Sequence, residues 1–429
     1  MTAHAPQTAQ PAATTRASKV QQIRTPAGIE AWLVEDYAVP LVAMNFAFRA
    51  GATNDPEGRA GATSMMASLL DEGAGKLNAD AFHRALDDKA VELSFNAGHD
   101  TVTGDLKTLA RHVDDAFGLM GMAINEPRFD ADALERVRSQ MIAGHKHATN
   151  DPDSLASKAW RRATFPGHPY ALEVGGDLDS VAAVTREDIA GLHKKLMSRA
   201  NVKIAAVGAI NAERLSALID SSIGRLPAQS GAVEAPVIEP ASGAREIVDV
   251  DVPQTTIRFG LPGIHRLDPD FVASVVVNHI LGGGSFSSRL FQQVREVRGL
   301  AYSVWTYVQN YRQAALFAGG TSTKNERAAE SLAVIEEEIA KLVADGPGEE
   351  ELDKAKKFLI GSYDLRFDTS TKIARNLVAL QVDDYPAEYM DQRNGLIDAV
   401  TLEDTKRVAR RLFEGKKLLV AAAGRPQGM

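Results

Sequence analysis

Apolar positions along the chain fall into short runs that predict strands and longer runs that predict helices. Residues 32–34 and 41–48 are predicted strands, and the second alternates in part between apolar and polar positions, as half-buried strands do. The segment 60–70 is predicted to be helical, with a stop before Gly73, because glycine commonly follows the end of a helix. Further helices are predicted at 79–89, 106–124, 131–146 and 186–196, and further strands at 91–97 and 100–105.

The second part of the chain repeats the first. Val-Thr-Arg-Glu-Asp at 184–188 recurs as Val-Thr-Leu-Glu-Asp at 400–404, and each precedes a helical stretch and then an apolar strand ending in glycine. The other matching pairs are 134–138 with 352–356, and the apolar helix before Gly73 with the one before Gly284. Three matches in the same order and at similar separations predict two similar halves.

The order of the predicted elements also indicates the fold class. Strands come in adjacent pairs and helices in runs, which predicts an α+β fold with antiparallel sheets flanked by helices. A stretch containing Pro and Gly separates the two halves and is predicted to be a loop. We therefore expect an N-terminal domain over 21–229, a linker over 230–243 and a C-terminal domain over 244–429.

Composition excludes several classes of protein. The 429 residues include no cysteine, so disulfides, thiolate nucleophiles, cysteine-based zinc sites and iron–sulfur clusters are all ruled out. A net charge of −8 argues against a nucleic-acid-binding protein, which needs a basic face. No apolar run approaches the roughly 18–20 residues of a membrane-spanning helix, so we expect no membrane span.

The first twenty residues differ from the rest of the chain. They consist largely of Ala, Thr, Gln and Pro, with no large apolar residue before Val20, and such a segment is predicted to be a flexible tail. It lacks the apolar stretch of a signal peptide, although it resembles the spacer left after one has been removed. We expect a periplasmic protein, with a cytoplasmic location as the alternative.

Several motifs together resemble one enzyme family. The first is the segment 40–61, in which a strand, Arg-Ala-Gly and Pro-Glu-Gly precede a helix; the others are Phe-Pro-Gly-His-Pro-Tyr at 165–170, Gly-Gly-Gly-Ser at 282–285 and the run 295–304. The pattern resembles the M16 metallopeptidases, which include pitrilysin, insulysin and the mitochondrial processing peptidase. The resemblance covers nearly everything from residue 20 onward. It implies the M16/LuxS-like metallohydrolase fold, with two homologous domains, and a subunit of the M16B type.

The zinc motif of that family is missing. Active members carry His-x-x-Glu-His on the helix after the Pro-Glu-Gly loop, where two His bind zinc and the Glu activates a water molecule. Alignment on Gly61 and Gly73 places Ser64, Ala67 and Ser68 at those positions. The stretch 143–147, where a third ligand is expected, contains no acid. We therefore expect no metal site and no cofactor in this chain.

A second family motif is retained. The resemblance implies that an Arg and a Tyr of the C-terminal domain, seven residues apart, act at a zinc site, and Arg295 and Tyr302 have that spacing. A tyrosine hydroxyl can donate to the oxyanion that develops on a scissile carbonyl, while an arginine can hold substrate carbonyls or position the tyrosine. Arg298 is the alternative arginine. Gly283 and Gly284 are candidates for contacting a peptide backbone.

Other polar residues have simpler interpretations. Ser64 and Ser68 lack the adjacent base that a nucleophile needs. His145 and His147 are two residues apart, so on a helix they point to different faces and are not expected to share a metal. His168 precedes a proline in a loop and is expected to be structural. The glycines at 282–284 lack the Lys-[Ser/Thr] of a phosphate-binding loop and are expected to end one helix and begin the next.

Two main functions follow. The leading hypothesis is a non-catalytic subunit of a heterodimeric zinc endopeptidase, inactive alone, whose partner carries His-x-x-Glu-His and zinc. This chain would supply Arg295 and Tyr302, and the substrate would be an extended peptide added to a sheet edge. The alternative is a catalytically inactive structural or peptide-binding protein. A homodimer with a new metal site built from His145, His147 or His168 is a third hypothesis.

Overall fold

The computed structural model describes residues 16–429, which form two mixed sheets with helices packed on them. The elements of the first half are β1 (Gln21–Arg24), β2 (Glu30–Glu35), β3 (Leu41–Phe48), α1 (Ala62–Leu69), β4 (Gly73–Ala74), β5 (Leu77–Asn78), α2 (Ala79–Asp87), β6 (Glu92–Ala97), β7 (Val102–Leu109), α3 (Val113–Asn125), α4 (Ala131–Ala148), α5 (Pro152–Thr164), α6 (Leu178–Ala183), α7 (Arg186–Leu196), β8 (Val202–Gly208) and α8 (Ala212–Ser222). Those of the second half are β9 (Arg245–Asp249), β10 (Gln254–Pro262), α9 (Phe271–Asn278), β11 (Ala301–Asn310), β12 (Ala315–Lys324), α10 (Ala328–Asp345), α11 (Glu349–Gly361), α12 (Ser370–Val382), α13 (Tyr389–Asp398), α14 (Leu402–Phe413) and β13 (Leu419–Gly424).

The two sheets share one topology, which confirms the internal repeat. The first sheet has the order β1-β2-β8-β3-β7-β6 and the second has β11-β12-β10-β13-β9. Read from opposite ends, β2-β8-β3-β7-β6 corresponds to β9-β13-β10-β12-β11. Each sheet contains one parallel pair, β2 with β8 and β9 with β13, and the other pairs are antiparallel. The predicted α+β class is thus confirmed, with a parallel pair that the pattern did not reveal.

The repeated Val-Thr-x-Glu-Asp sequences have a local structural role. Thr185 begins α7 and Thr401 begins α14, and each threonine side chain accepts a hydrogen bond from the backbone N–H three residues later. Asp188 and Asp404 each bond back to the N–H of the threonine. These reciprocal bonds satisfy two amides that an uncapped helix leaves free. The repeated sequence therefore encodes the same helix cap in both halves.

Each sheet is covered on one face by a helix from the other half. Helix α12 of the second half lies on β3 and β8, and α5 of the first half lies on β10, β13 and β9. Leu377 of α12 is fully buried with Trp32 and Val207 of the first sheet. Trp160 of α5 is buried with Leu419 of the second sheet. We call α5 and α12 the exchanged helices.

Close packing and one polar contact fix the exchanged helices in place. A Cβ added to Gly260 of β10 would lie 2.8 Å from the Trp160 ring, so only glycine lets that ring approach the sheet so closely. In the other half, Gln381 Nε2 of α12 donates to the Ile204 carbonyl at 2.9 Å, in a buried position. The opposite faces of the sheets carry the larger cores, in which the remaining helices pack.

The structure corrects part of the element prediction. The predicted helix at 106–124 begins too early, because residues 106–109 belong to β7, whose positions alternate between buried and half-buried. Helix α3 starts only at Val113, after a short 3₁₀ turn. Neither exchanged helix was predicted from the sequence. The other predicted helices and strands lie within a few residues of their observed limits.

The segments outside the two sheets were predicted from composition. Residues 227–244 contain no helix or strand, and the predicted linker, 230–243, lies within them. Of the predicted tail, residues 1–15 lie outside the described residues, whereas Arg16 is bound to the second half. Its backbone N–H donates to Asp391 Oδ1 at 3.1 Å and its guanidinium pairs with Asp364. None of the helices within residues 16–429 combines the length and apolar character needed to cross a membrane.

The exchanged helices predict a strong effect of a single buried substitution. Leu377→Ala removes a side chain buried between α12 and the first sheet, so we expect a loss of about 2–5 kcal/mol in the free energy of unfolding. Leu365→Ala, at an exposed leucine, should change it by less than about 0.5 kcal/mol. Urea unfolding measures both values, and equal effects of the two substitutions would contradict the packing described.

The cap of α14 predicts a dependence on pH. Hydrogen bonds from Thr401, together with Arg407, lower the pKa of Asp404 to about 2. Because the folded pKa lies below the ordinary value, the ionised carboxylate stabilises the folded state above about pH 4 and this contribution disappears as the pH falls through 2. We expect Asp404→Asn to be less stable than the wild type at pH 7 and nearly equal near pH 2. Thermal unfolding across this pH range tests it, and a difference that persists at pH 2 would contradict it.

Candidate functional site

The segment before β11 bends the chain so that the two retained motif residues meet. Residues 291–297 form a π-helical turn, a rare conformation that is frequent at functional sites. Gly299 follows with φ of +58°, which glycine adopts without strain. Backbone N–H groups close the bend, from Gly299 to the Arg295 carbonyl at 3.1 Å and from Leu300 to the Val294 carbonyl at 2.8 Å. The chain then enters β11 one residue before Tyr302.

Tyr302 lies on a distorted part of an edge strand. Strand β11 is the last strand of its sheet, and its register with β12 shifts between Ala301 and Val304. Such bulges redirect side chains and are common beside active sites. Tyr302 is 83% exposed, and its hydroxyl has no hydrogen-bond partner within residues 16–429. The ring is therefore presented to solvent beside a free strand edge.

Arg295 and Tyr302 form a stacked pair, which we call the Arg/Tyr pair. The Arg295 guanidinium carbon lies 5.0 Å from the centre of the Tyr302 ring. It also lies 4.8 Å from the ring of Phe291 and 5.8 Å from that of Phe286, so three aromatic faces hold one cation. Its nearest acid is Glu296, at 3.5 Å. The guanidinium is thus positioned mainly by aromatic rings.

The aromatic residues that hold Arg295 were missed in the sequence. Phe291 lies four residues before Arg295, the spacing at which side chains meet on a helix, and this signal was available. Phe286 is 69% exposed and offers no comparable signal, because a turn brings its ring against that of Phe291, with centroids 4.8 Å apart. The two rings extend the Arg/Tyr pair into a small aromatic surface.

The other candidate residues of the second half lie in different places. Arg298 donates to Glu337 of α10 at 3.1 Å, and this contact directs it to a different element from Tyr302. Gly283 and Gly284 belong to a turn that follows α9, and Gly283 is exposed. A Cβ on Gly283 would lie 2.4 Å from Asn278 Nδ2, and one on Gly284 would lie 2.7 Å from the His279 carbonyl oxygen. The backbone contact at Gly284 shows that the turn itself favours glycine there.

The positions that correspond to the zinc motif lie on α1. Ser64 is half-buried, Ala67 is buried and Ser68 is exposed. Asp55 holds the start of this helix, since it accepts hydrogen bonds from the Gly61 and Thr63 amides, both at 2.8 Å. Burial raises the pKa of Asp55 to about 6. A hydroxyl, a methyl and a second hydroxyl do not provide the ligands that zinc requires, so the residues present do not fit the metal.

Two of the three candidate histidines have structural contacts of their own. His145 Nε2 lies 2.9 Å from the Gly175 carbonyl oxygen, while His147 is exposed. His168 is 6% exposed, and its ring bridges the Tyr170 amide, at 3.1 Å, and the Pro236 carbonyl, at 2.9 Å. Within residues 16–429, no three His, Cys, Asp or Glu side chains are grouped as metal ligands would be.

Comparisons with known proteins show what the chain is similar to. Residues 183–359 match the family model described as the peptidase M16 inactive domain. The crystal structure of a peptidase M16 inactive domain from Pseudomonas fluorescens superposes with a TM-score of 0.89 at 27% identity, and the match covers 95% of this chain and 98% of that chain. The resemblance to the M16 family is confirmed.

Curated proteins match most of the chain. The protein named Non-peptidase homolog YmxG, from Helicobacter pylori, is 29% identical over 338 residues, which are 78% of this chain and 78% of that protein. An uncharacterized zinc protease from Streptomyces coelicolor is 25% identical over 378 residues, which are 84% of this chain and 80% of that protein. These matches show that the chain is similar to M16 proteins along most of its length, and its helix α1 lacks the ligands of that family's zinc motif.

The replaced ligands predict that the purified protein does not retain zinc. After incubation with zinc and desalting, we expect metal analysis to find no stoichiometric zinc. A bound ligand raises the melting temperature of the state that binds it, so neither zinc nor a chelator should shift that temperature. One equivalent of retained zinc, with a melting temperature lowered by the chelator, would contradict the assignment of α1 as a helix without metal ligands.

Proposed function

We propose that this chain is the non-catalytic subunit of a two-chain M16 endopeptidase, and that it supplies the Arg/Tyr pair to a partner subunit. The partner would carry His-x-x-Glu-His on its own helix and would hold the zinc ion. The substrate would be a short or unfolded peptide in an extended conformation. This chain alone would not hydrolyse peptides.

The observation that carries the proposal is the state of the Arg/Tyr pair. The Arg295 guanidinium stacks on the exposed Tyr302 ring, and the tyrosine hydroxyl has no partner in residues 16–429. Both side chains can therefore contact a group from outside the chain. An unpaired hydroxyl donor is suited to a carbonyl oxygen that gains negative charge. The Arg295 guanidinium keeps the Tyr302 ring in one orientation and adds positive charge nearby.

The free edge of β11 supports an extended peptide as the substrate. Tyr302 stands on this edge, where backbone N–H and C=O groups are not paired with another strand of residues 16–429. A peptide that adds to such an edge gains a ladder of main-chain hydrogen bonds whatever its sequence. Its carbonyl groups would then lie near the Tyr302 hydroxyl, which is where the proposed donor is needed.

A second candidate function is that of a structural or peptide-binding protein without any part in hydrolysis. The name of the Helicobacter pylori relative, Non-peptidase homolog YmxG, favours it. The same edge strand and exposed aromatic surface would then bind a peptide or partner that is not cleaved. The two candidates differ in whether the Tyr302 hydroxyl contributes to turnover or only to binding.

A reconstitution experiment tests the proposal. The chain is assayed with an unfolded peptide alone, and then mixed with the His-x-x-Glu-His protein encoded nearest to it, each with and without a chelator. We expect chelator-sensitive hydrolysis only in the mixture. Tyr302→Phe should lower kcat by about 10²-fold or more, the usual effect of removing one oxyanion donor, with a smaller change in KM.

Tyr37→Phe is the matched control, because Tyr37 is also an exposed tyrosine, at 62%, but lies between β2 and β3. It should leave the turnover of the mixture unchanged. Full activity of the mixture with Tyr302→Phe would overturn the role given to this hydroxyl. A stable complex that shows no hydrolysis would favour the second candidate, and chelator-sensitive hydrolysis by this chain alone would contradict both.

A further inference from the structure

A cavity of about 350 Å³ lies in the second half, away from the Arg/Tyr pair. It is lined by α9, β11, α12, α13 and the 3₁₀ segment Tyr363–Phe367 and is partly open to solvent. Its volume falls within the range of small-ligand sites, which begins at about 300 Å³. The walls are largely apolar or aromatic; they include Phe271, Val272, Val275, Val308, Phe367 and Ile397.

Aromatic contacts fix the shape of this cavity. The rings of Tyr385 and Tyr389 stack with centroids 4.2 Å apart and planes 26° from parallel. The Tyr385 hydroxyl donates to the Arg266 carbonyl oxygen. One helical turn after Tyr389, the guanidinium carbon of Arg393 lies 4.4 Å from the centre of the Tyr363 ring. These contacts hold the rings in place, so the cavity is formed before any ligand arrives.

The cavity has an excess of positive charge. Three arginines and one acid line it, and the acid, Asp383, is paired with Arg266. Within residues 16–429, no carboxylate lies at ion-pair distance from Arg366 or Arg393. The protein as a whole has a net charge of −8, so the positive charge of this cavity is opposite in sign to the net charge. Such a cavity is suited to an anion.

Arg393 keeps donors free for a ligand. Its Nη1 donates to the Leu359 carbonyl at 2.9 Å and to Asn394 Oδ1 at 3.1 Å. A guanidinium has five N–H donors, and Nε and Nη2 have no partner within residues 16–429. Burial, with the charge of Arg366 nearby, lowers the pKa of Arg393. A bound anion would offset this shift, because it would supply hydrogen-bond acceptors and opposite charge.

We propose that this cavity binds a small organic carboxylate with an aromatic or aliphatic body. The carboxylate pairs with Arg366 and Arg393, since a guanidinium and a carboxylate match in a two-bond geometry. The body lies against the Tyr385 and Tyr389 rings and the apolar walls. The proposal does not depend on peptidase activity.

Three probes of one size test the proposal on the full chain: phenylacetate, the neutral phenylacetamide and the cationic phenethylamine. Isothermal titration and the melting temperature are measured with each. We expect phenylacetate to bind and to raise the melting temperature, and the other two to bind at least about tenfold more weakly. Equal binding of phenylacetamide would overturn the assignment of the arginines, and no binding of phenylacetate at millimolar concentration would overturn the site.

Substitutions locate the binding within the cavity. Arg366→Gln changes an exposed side chain. It should weaken the binding of phenylacetate by about tenfold without loss of stability. Arg393→Gln should weaken it similarly, although it also removes the contact with Tyr363. Ala379→Phe fills the space from α12, where Ala379 is exposed into the cavity, and should abolish binding without changing any charge.

Arg24→Gln is the matched control, because Arg24 is exposed on β1 and does not line the cavity. It should bind phenylacetate as the wild type does. Loss of binding in this control to the same degree as in Arg366→Gln would mean a general charge effect and would overturn the proposal. Unchanged binding by Ala379→Phe, with the variant folded, would place the ligand elsewhere and would overturn it as well.

Discussion

The fold depends on the exchange of α5 and α12 between the two halves. A sheet with one open face cannot stay in water when that face carries Trp32, Ala47 and Val207 in one half and Leu316 and Leu419 in the other. Within residues 16–429, neither half contains a helix of its own for this face. Each half is therefore stabilised by a segment that lies far away in sequence, and the relative position of the sheets follows from two helix–sheet contacts.

This constraint also explains the geometry of the candidate site. The second sheet is fixed on one face by α5 and on the other by its own helices, so its last strand, β11, is held in a defined position while its outer edge stays free. A bulge in β11 and a π-helical turn before it then bring Arg295 to Tyr302. Rigid support with a locally irregular backbone is a common way to present reactive side chains.

Much of the fold could be predicted from sequence, because local patterns recorded it. The Val-Thr-x-Glu-Asp repeats are helix caps, and a cap is a property of four or five neighbouring residues. The exchanged helices could not be predicted in this way. The buried face of α5 is small, with Ala156, Trp160 and Thr164, and its partner surface is in the other half. The helix at 106–124 was predicted too long because the alternation of β7 runs directly into α3.

The candidate site likewise combines features that local sequence predicts with features that depend on contacts between distant segments. The spacing of Arg295 and Tyr302 was visible in the sequence through a family resemblance, and the structure brings the two residues together. The part played by Phe286 was not visible, because it depends on the turn after α9. The charged cavity beside α13 was also invisible, since its arginines are scattered over more than one hundred positions and meet only in the folded chain.

The exchanged helices have a consequence for how the protein is made. On the ribosome, the first sheet is complete once β8 has been synthesised, but α12, which covers its outer face, follows only after β9, β10, β11 and β12. Until then, an apolar sheet surface faces water, and such surfaces promote aggregation during synthesis. The order of the elements along the chain therefore leaves the nascent first half with an exposed apolar face, the kind of surface that chaperones bind.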